Sequence, residues 1–317
     1  MKSKAAVIGV VMISLLGFVP ESGMTKEFIS LLTCGTAGVY FPLGGGIARI
    51  WNSKVADVNA TAETSGCSVV NLRLMEQGQA SAAICQNDAV HFAANGLKFF
   101  EKKAVKPRGV LMLYDEHLHV ATTKQSGIKK IADLKGKRVR IGFPGSIATE
   151  NAVILLEAYG LTEKDMKAYQ MSLSDAFEQL KDGNIDALIE PTGAPAAGFL
   201  DVAHTRDMVL LPVDKEHSDK ISKKYPFLSP AVIPAGTYKG TNQDLPTLTV
   251  TCMLIASSDM PTDLVYNLTK SIFQNLDILG EAHIKGKLVK METALKGMPI
   301  PLHPGAEKYY KEVGKIK

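Results

Sequence analysis

Two periods of apolar spacing alternate along this chain. Short apolar runs with a period of two lead into turns of small residues. Stretches with apolar positions three and four apart follow, so the pattern reads strand, turn, helix. Phe28 to Thr33 predicts a first strand, with a helix from about Pro42 to Asn52 beyond the turn. Pro42 suits a first helical turn, where its missing N–H costs nothing. Val58 to Ala62 predicts a second strand, before a helix through Val69, Leu72 and Met75. Ala80 to Cys85 predicts a third, before a helix that opens after Gln86-Asn87-Asp88. Val110 to Tyr114 and Leu118 to Thr123 read as two consecutive strands.

A second series follows. Lys137 to Ile141 predicts a strand, 142–146 a turn, and Ile147 to Tyr159 a helix stopped at Gly160. Met166 to Gln170, Ala187 to Ile189 and Met208 to Leu211 predict further strands, with helices near 173–182, 195–203 and 215–224. Pro226 to Thr241, rich in Pro and Gly, reads as extended backbone. Leu248 to Ser257 predicts an apolar strand, and helices near 261–279 and 285–296 close the chain. Strands alternating with helices imply right-handed crossovers and mostly parallel sheets. The expected fold is α/β in two lobes, 24–122 plus 244–317 and 123–243. The chain then crosses twice between them, near 122–126 and 240–246, and two crossings make a hinge.

Composition narrows the class. At 317 residues, 46% hydrophobic and 21% charged, the chain is globular and long enough for two cores. A net charge of +4 with scattered Lys and Arg argues against nucleic acid as a partner. Lys2 and Lys4 precede an apolar run from Ala5 to Val19, a secretory pattern too short for an ordinary membrane span. Residues 1–23 are therefore expected to be a cleaved signal peptide, and the mature protein periplasmic. Oxidising surroundings permit disulfides among Cys34, Cys67, Cys85 and Cys252. Their apolar and turn contexts favour buried thiols; a Cys34–Cys85 bond between neighbouring strand ends is the pairing considered.

The strand ends carry the candidate chemistry, because open α/β sheets bind ligands beyond their carboxyl ends. Thr33, Thr36 and Tyr40 follow the first strand; Thr64, Ser65 and Ser68 the second; Gln86 and Asp88 the third. Ser146 and Thr149 follow the first strand of the second series, and Pro191, Thr192 and Gly193 a later one. Several of these turns open into helices, whose free N–H groups and dipole favour a small anion. Taken singly, each Ser or Thr is equally an N-cap.

Gly35-Thr36-Ala37-Gly38-Val39-Tyr40-Phe41-Pro42-Leu43-Gly44-Gly45 resembles the signature loop of TAXI solute receptors of TRAP transporters. The resemblance continues in order through 61–72, Ala83-Ile84-Cys85-Gln86-Asn87-Asp88, Leu113 to Val120, Asp133 to Val139, 181–187, Tyr225-Pro226-Phe227 and Ile233 to Tyr238. It implies a two-lobe periplasmic-binding-protein fold of type II, a membrane TRAP subunit, in fused form, as partner, and a monomeric receptor. The implied ligand is an acidic amino acid such as glutamate, or a dicarboxylate or 2-oxoacid such as 2-oxoglutarate. Tyr40, Ser68, Gln86, Asp88, His119, Ser146 and Thr149 are the pocket positions it implies. Cys67 and Val70 depart from that pattern, and Ile147-Ala148 interrupts the usual small pair after Gly145-Ser146.

Other residues have plainer readings. Asp88 could receive an ammonium group or cap its own helix. His117 and His119 share a strand face, but no third ligand is evident, so no metal is expected. Arg140, the nearest Arg to a strand end, could pair with a carboxylate bidentately but reads rather as a solvent-facing strand residue, and Trp51 reads as core. The glycine pattern of a dinucleotide loop, a nucleophile elbow and a zinc-protease helix are all absent; no enzyme and no cofactor is expected. The alternative function is a binding protein of an ABC transporter or a sensor.

Overall fold

The computed structural model describes residues 26–36, 38–101 and 104–317. The expected signal segment, 1–23, lies outside the described residues. The first series comprises β1 (Glu27–Leu32), α1 (Tyr40–Lys54), β2 (Val58–Glu63), α2 (Cys67–Glu76), β3 (Ala82–Gln86) and α3 (Asn87–Asn95). A long β4 (Arg108–Thr123) follows. The second series is β5 (Arg138–Arg140), α4 (Ile147–Ala158), β6 (Lys167–Tyr169), α5 (Leu173–Lys181), β7 (Ala187–Thr192), α6 (Ala197–Thr205), β8 (Met208–Leu210) and α7 (Lys215–Lys224). Then come β9 (Ser229–Ile233), β10 (Leu245–Ala256), α8 (Thr262–Phe273), α9 (Leu276–Ala282) and α10 (Pro304–Glu312).

The strands form one sheet in the order β2-β1-β3-β10-β4-β7-β5-β6, with β8 on β4 and β9 on β10. β1 runs parallel to β2 and β3, and β5 parallel to β6 and β7. Between these two parallel groups stand β4 and β10, antiparallel to each other from Arg108↔Ala256 to His117↔Thr249. β10 pairs with β3 and β4 with β7, so both long strands touch both groups directly or through each other. Helices cover the faces, as parallel strands buried on both sides require.

Apolar packing follows this layout. Trp51, Leu43, Ile47 and Ile50 of α1 pack on Ile29, Leu31 and Ile84, with Val265 and Leu268 of α8 and Tyr310 of α10 in the same cluster. The Trp51 indole N–H donates to Leu268 O at 3.2 Å, which satisfies the one polar atom of a buried ring. A second cluster runs continuously from Leu72 and Phe92 through Leu118 and Val250 to Ile154 and Val139. A third surrounds Phe199 in the second series, with Phe177, Val202 and Tyr238.

The structure departs from the sequence reading in four places. The two strands expected over Val110–Tyr114 and Leu118–Thr123 are one, because Asp115-Glu116-His117 is not a turn. β10 pairs straight through these residues, Lys296 Nζ binds Asp115 at 2.7 Å, and Glu116 has buried donors. The helix expected over 261–279 breaks at Asn275 into α8 and α9, and that expected over 285–296 is two short 3-10 turns, Ile284–Leu288 and Met291–Thr293. α10 is additional. Its start is hidden in Leu302-His303-Pro304-Gly305, where His303 Nδ1 accepts from Gly305 N at 3.1 Å and Pro304 sits at the first turn.

Cysteine pairing is the fourth correction. Cys34 and Cys67 are bonded, with Cα atoms 4.4 Å apart and a sequence separation of 33, whereas Cys85 and Cys252 are buried free thiols. β1 ends at Leu32, so Cys34 leaves the ladder before it could stand beside Cys85. Cys67 has φ +62° at the start of α2, a left-handed backbone uncommon outside glycine.

Candidate functional site

Strand register brings the two groups of carboxyl ends together. Gln86, the last residue of β3, lies opposite Cys252, and Cys252 lies opposite Tyr114. Thr192, the last residue of β7, lies opposite His117. Only Asp115 and Glu116 separate Tyr114 from His117, so the ends of β3, through Cys252 of β10, and of β7 meet at the same short stretch of β4.

Glu116 is the centre of this stretch. It is 3% exposed, and accepts from Gln86 Nε2 at 2.6 Å and from the Tyr114 hydroxyl at 2.8 Å. Burial, partly offset by these two donors and reinforced by the nearby Glu190 and Asp88 charges, pushes its carboxyl up to about 7. Tyr40, buried at the first turn of α1, places its hydroxyl against the Cys252 thiol and in the field of Glu116. Gly193 closes the site from the β7 side. A Cβ there would come within 2.9 Å of Lys285 Cε and 3.1 Å of Tyr114 Cε2, so the close approach needs glycine. Buried Lys285 donates to Ala194 O, and burial lowers its pKa.

A second contact joins the series two residues along α3. Asp88 is fully buried; its Oδ2 accepts from Asn151 Nδ2 of α4 at 2.6 Å and its Oδ1 from Ala89 N at 2.7 Å. Burial again outweighs these donors and raises the carboxyl to about 7. Nearby, Lys98 pairs with Glu150 at 2.6 Å.

The remaining expected site residues fall into four groups. Thr36 and Thr64 are exposed in the loops after β1 and β2. Ser68, Ser146 and Thr149 are engaged locally. Ser68 Oγ accepts from Gln86 N at 3.1 Å, Ser146 Oγ from Phe143 N at 3.2 Å, and Thr149 Oγ1 donates to Phe143 O at 2.9 Å. Pro191 and Thr192 end β7 opposite Leu118 and His117. His119 is fully buried, stacked on Phe199 at 4.4 Å between ring centroids. Its Nδ1 meets His117 O at 2.8 Å, and a carbonyl only accepts, so Nδ1 carries the proton. Nε2 then accepts from the Tyr238 hydroxyl at 2.9 Å, which in turn accepts from Ala196 N at 3.1 Å. Burial holds this imidazole neutral, its pKa lowered to about 3.

Arg140 corrects another expectation. It is 2% exposed rather than solvent-facing, paired with Glu190, and donates to Ile189 O at 3.0 Å and to Met171 O at 3.2 Å. A three-residue strand in mid-sheet buries both faces, and β7 supplies the carboxylate. Sequence reasoning missed Glu116, Tyr114, Asn151 and Lys285. Glu116 carried a signal: an acid set between two strongly apolar runs. Asn151 and Lys285 carried none, since each is an ordinary polar residue in its own segment.

Behind the first loops lies a polar brace. Asn71 Nδ2 donates to Thr33 O at 2.7 Å and Ile84 O at 3.0 Å, Ser65 Oγ donates to Thr33 O at 2.9 Å and contacts Asn71 Oδ1, and the Cys34–Cys67 bond sits beside them. The ends of β1, β2 and β3 are thereby fixed before any ligand arrives. Among the described residues no group of three or more His, Cys, Asp or Glu is arranged to hold a metal, and no helix is long and apolar enough to cross a membrane. An open groove of about 830 Å³ lies elsewhere, between Met208–Leu210 and the 239–246 segment. It shares no residue with the convergence at Glu116.

One titration follows. A buried acid with a raised pKa holds a proton in the folded chain that the unfolded chain has released, so its contribution to stability falls as pH rises from about 4.5 to about 7. Glu116→Gln removes that fall. Relative to wild type, the variant should gain up to about 3 kcal/mol of unfolding free energy between pH 5 and pH 8, read from urea unfolding at both pH values.

Two parallel strand groups, joined by long antiparallel strands and meeting end to end, define the fold of periplasmic solute-binding proteins. The chain belongs to the NMT1-like family, which it matches over residues 31–314. It is similar in fold to MatC from Rhodopseudomonas palustris, solved with bound malate, at 12% identity over 91% of this chain and 97% of that one, TM-score 0.57. It is similar also to PhnD1 from Prochlorococcus marinus, solved with methylphosphonate, at 11% identity over 92% and 99%, TM-score 0.57.

Proposed function

We propose that the protein is an extracytoplasmic solute receptor of the TAXI type. In this reading it captures a small anionic metabolite between two lobes, 24–122 plus 244–317 and 123–243, and presents it to a TRAP membrane subunit. The observation that carries the reading is the meeting of β3 and β7 ends over Asp115–His117, with Gln86, Tyr40 and Glu116 on one side and Gly193 on the other. The ordered motif series from Gly35 to Tyr238 supports the TAXI assignment. Solved relatives of the fold hold malate and methylphosphonate, both small anions. Glutamate and 2-oxoglutarate are the leading solutes. The hinge lies where the chain crosses between these lobes, near 122–126 at the end of β4 and 240–246 at the start of β10. Thr36, Thr64, Ser146 and Thr149 then form the rim, and Asp88–Asn151 and Lys98–Glu150 hold the lobes together.

Mature protein expressed from residue 24, unfolded and refolded to strip endogenous solute, tests this. Glutamate, 2-oxoglutarate or a related small anion at 1 mM should raise the unfolding midpoint by several degrees. Micromolar affinity would stabilise by about 4 kcal/mol at that concentration. No shift with any acidic amino acid, dicarboxylate or 2-oxoacid would count against a receptor of this class. A neighbouring gene for an ATPase in place of a fused TRAP subunit would favour an ABC system.

A further inference from the structure

The contact between α3 and α4 is made by two side chains that are both completely buried, Asp88 and Asn151. Asp88 Oδ2 accepts from Asn151 Nδ2 at 2.6 Å and Oδ1 from Ala89 N at 2.7 Å. Both donors are uncharged, and no ion pair among the described residues includes Asp88. Lys98, on the short turn Lys98–Phe100 that packs on α3, is spent on Glu150. The other titratable groups bring no counter-charge. Glu150 on α4 and Glu116 on β4 repel a charge at Asp88. Cys85 on β3 and Cys252 on β10 are thiols kept neutral by burial. α2 carries Glu76 and Arg73, the latter exposed and bound to Phe99 O. His91 of α3 itself packs against Phe92 and Phe227.

An ionised carboxylate in this place has given up water and gained no cation. A protonated one has a destination for its hydrogen. Asn151 Oδ1, the other atom of the same amide, is buried and lacks a donor. Amide N–H to acid oxygen and acid O–H to amide oxygen is the complementary pairing of these two groups. Burial accordingly lifts the Asp88 carboxyl to about 7. We propose that Asp88 and Asn151 form a proton-dependent latch across the cleft, closed while Asp88 carries a proton and opened by its loss. The inference rests on the two-lobe receptor reading and adds a control to it. Opening returns the carboxyl to water and to its ordinary range, so the closed form binds a proton that the open form has released. Closure is then favoured in acid and weakens as pH rises through about 7. Solute in the cleft is retained at low pH and let go more readily above neutrality.

Solution X-ray scattering from residues 24–317, free of solute, at pH 5.5, 7.0 and 8.5 tests the latch. The wild-type radius of gyration should grow with pH, most steeply near 7. Asp88→Asn, which offers an N–H to Asn151 and cannot ionise, should stay compact at all three values. Glu116→Gln, which lacks the other buried acid that titrates near 7, should keep the wild-type profile. Calorimetry with L-glutamate and 2-oxoglutarate adds a second readout. Whichever probe binds should bind wild type about tenfold more weakly at pH 8.5 than at pH 5.5, and Asp88→Asn almost equally at both. A wild-type radius that does not change with pH overturns the latch, as does a profile that survives in Asp88→Asn or vanishes in Glu116→Gln. Should Asp88→Asn fail to fold, the wild-type and Glu116→Gln profiles decide. A constant radius with a probe bound leaves the receptor reading standing. Expansion with pH but no binding of either probe upholds the latch and counts against the proposed solutes.

Discussion

Arg140→Leu should destabilise the protein by about 3–5 kcal/mol, the largest single effect expected outside the backbone. Arg140 is 2% exposed, and its guanidinium serves Glu190 and the carbonyls of Ile189 and Met171 at once. Removing it strands a largely buried carboxylate and leaves two carbonyls without their donor. The cost is that of uncompensated burial, so it need not equal the worth of the pair. Arg140→Leu combined with Glu190→Leu should therefore recover at least half of the loss. Urea unfolding of the two variants checks both numbers. A single variant within about 1 kcal/mol of wild type would mean that water reaches Glu190 freely.

Loss of the Cys34–Cys67 bond should cost about 3–4 kcal/mol. The bond closes a loop of 33 residues, and the chain entropy it removes from the unfolded state is of that order. The two ways of breaking it should differ. Cys34→Ser leaves Cys67 with its left-handed backbone, φ +62°. Cys67→Gly removes that strain, worth about 1 kcal/mol, and should be the milder variant by that margin. Reduction of wild type should match Cys34→Ser. Solute affinity should fall in all three, because the bond braces the loops after β1 and β2. Equal midpoints for oxidised and reduced protein would refute the argument.

Most of the strand–helix order was legible. β1 to β3, β5 to β8 and their helices lie within a few residues of the positions expected from periodicity, because most have a local apolar face, although β6 is exposed along its whole length. Gly160, at φ +71°, ends α4 where the pattern placed the stop. β4 was split in the reading because three polar residues interrupt it. Local pattern registers polarity but not the donors that Gln86 and Lys296 bring from far away in sequence. The C-terminal segment was misread for a related reason: α10 opens on Pro-Gly, which locally signals a turn, and His303 supplies the cap that overrides it.

The candidate site divides along the same line. Tyr40, Gln86, Asp88 and Gly193 were visible as strand-end residues. Their partners Tyr114, Glu116, Asn151 and Lys285 come from other elements and depend on register, which the sequence does not print. His119 shows the converse: a polar residue at a suggestive position, with both ring nitrogens already engaged by His117 O and Tyr238.

β4 and β10 pass without interruption from one parallel group to the other. A flexible linker would let each half melt by itself; two hydrogen-bonded ribbons do not. Heating should give one calorimetric transition for residues 24–317, and expression of 123–243 alone should yield an insoluble product, its sheet deprived of the central pair on which β7 and β9 hang.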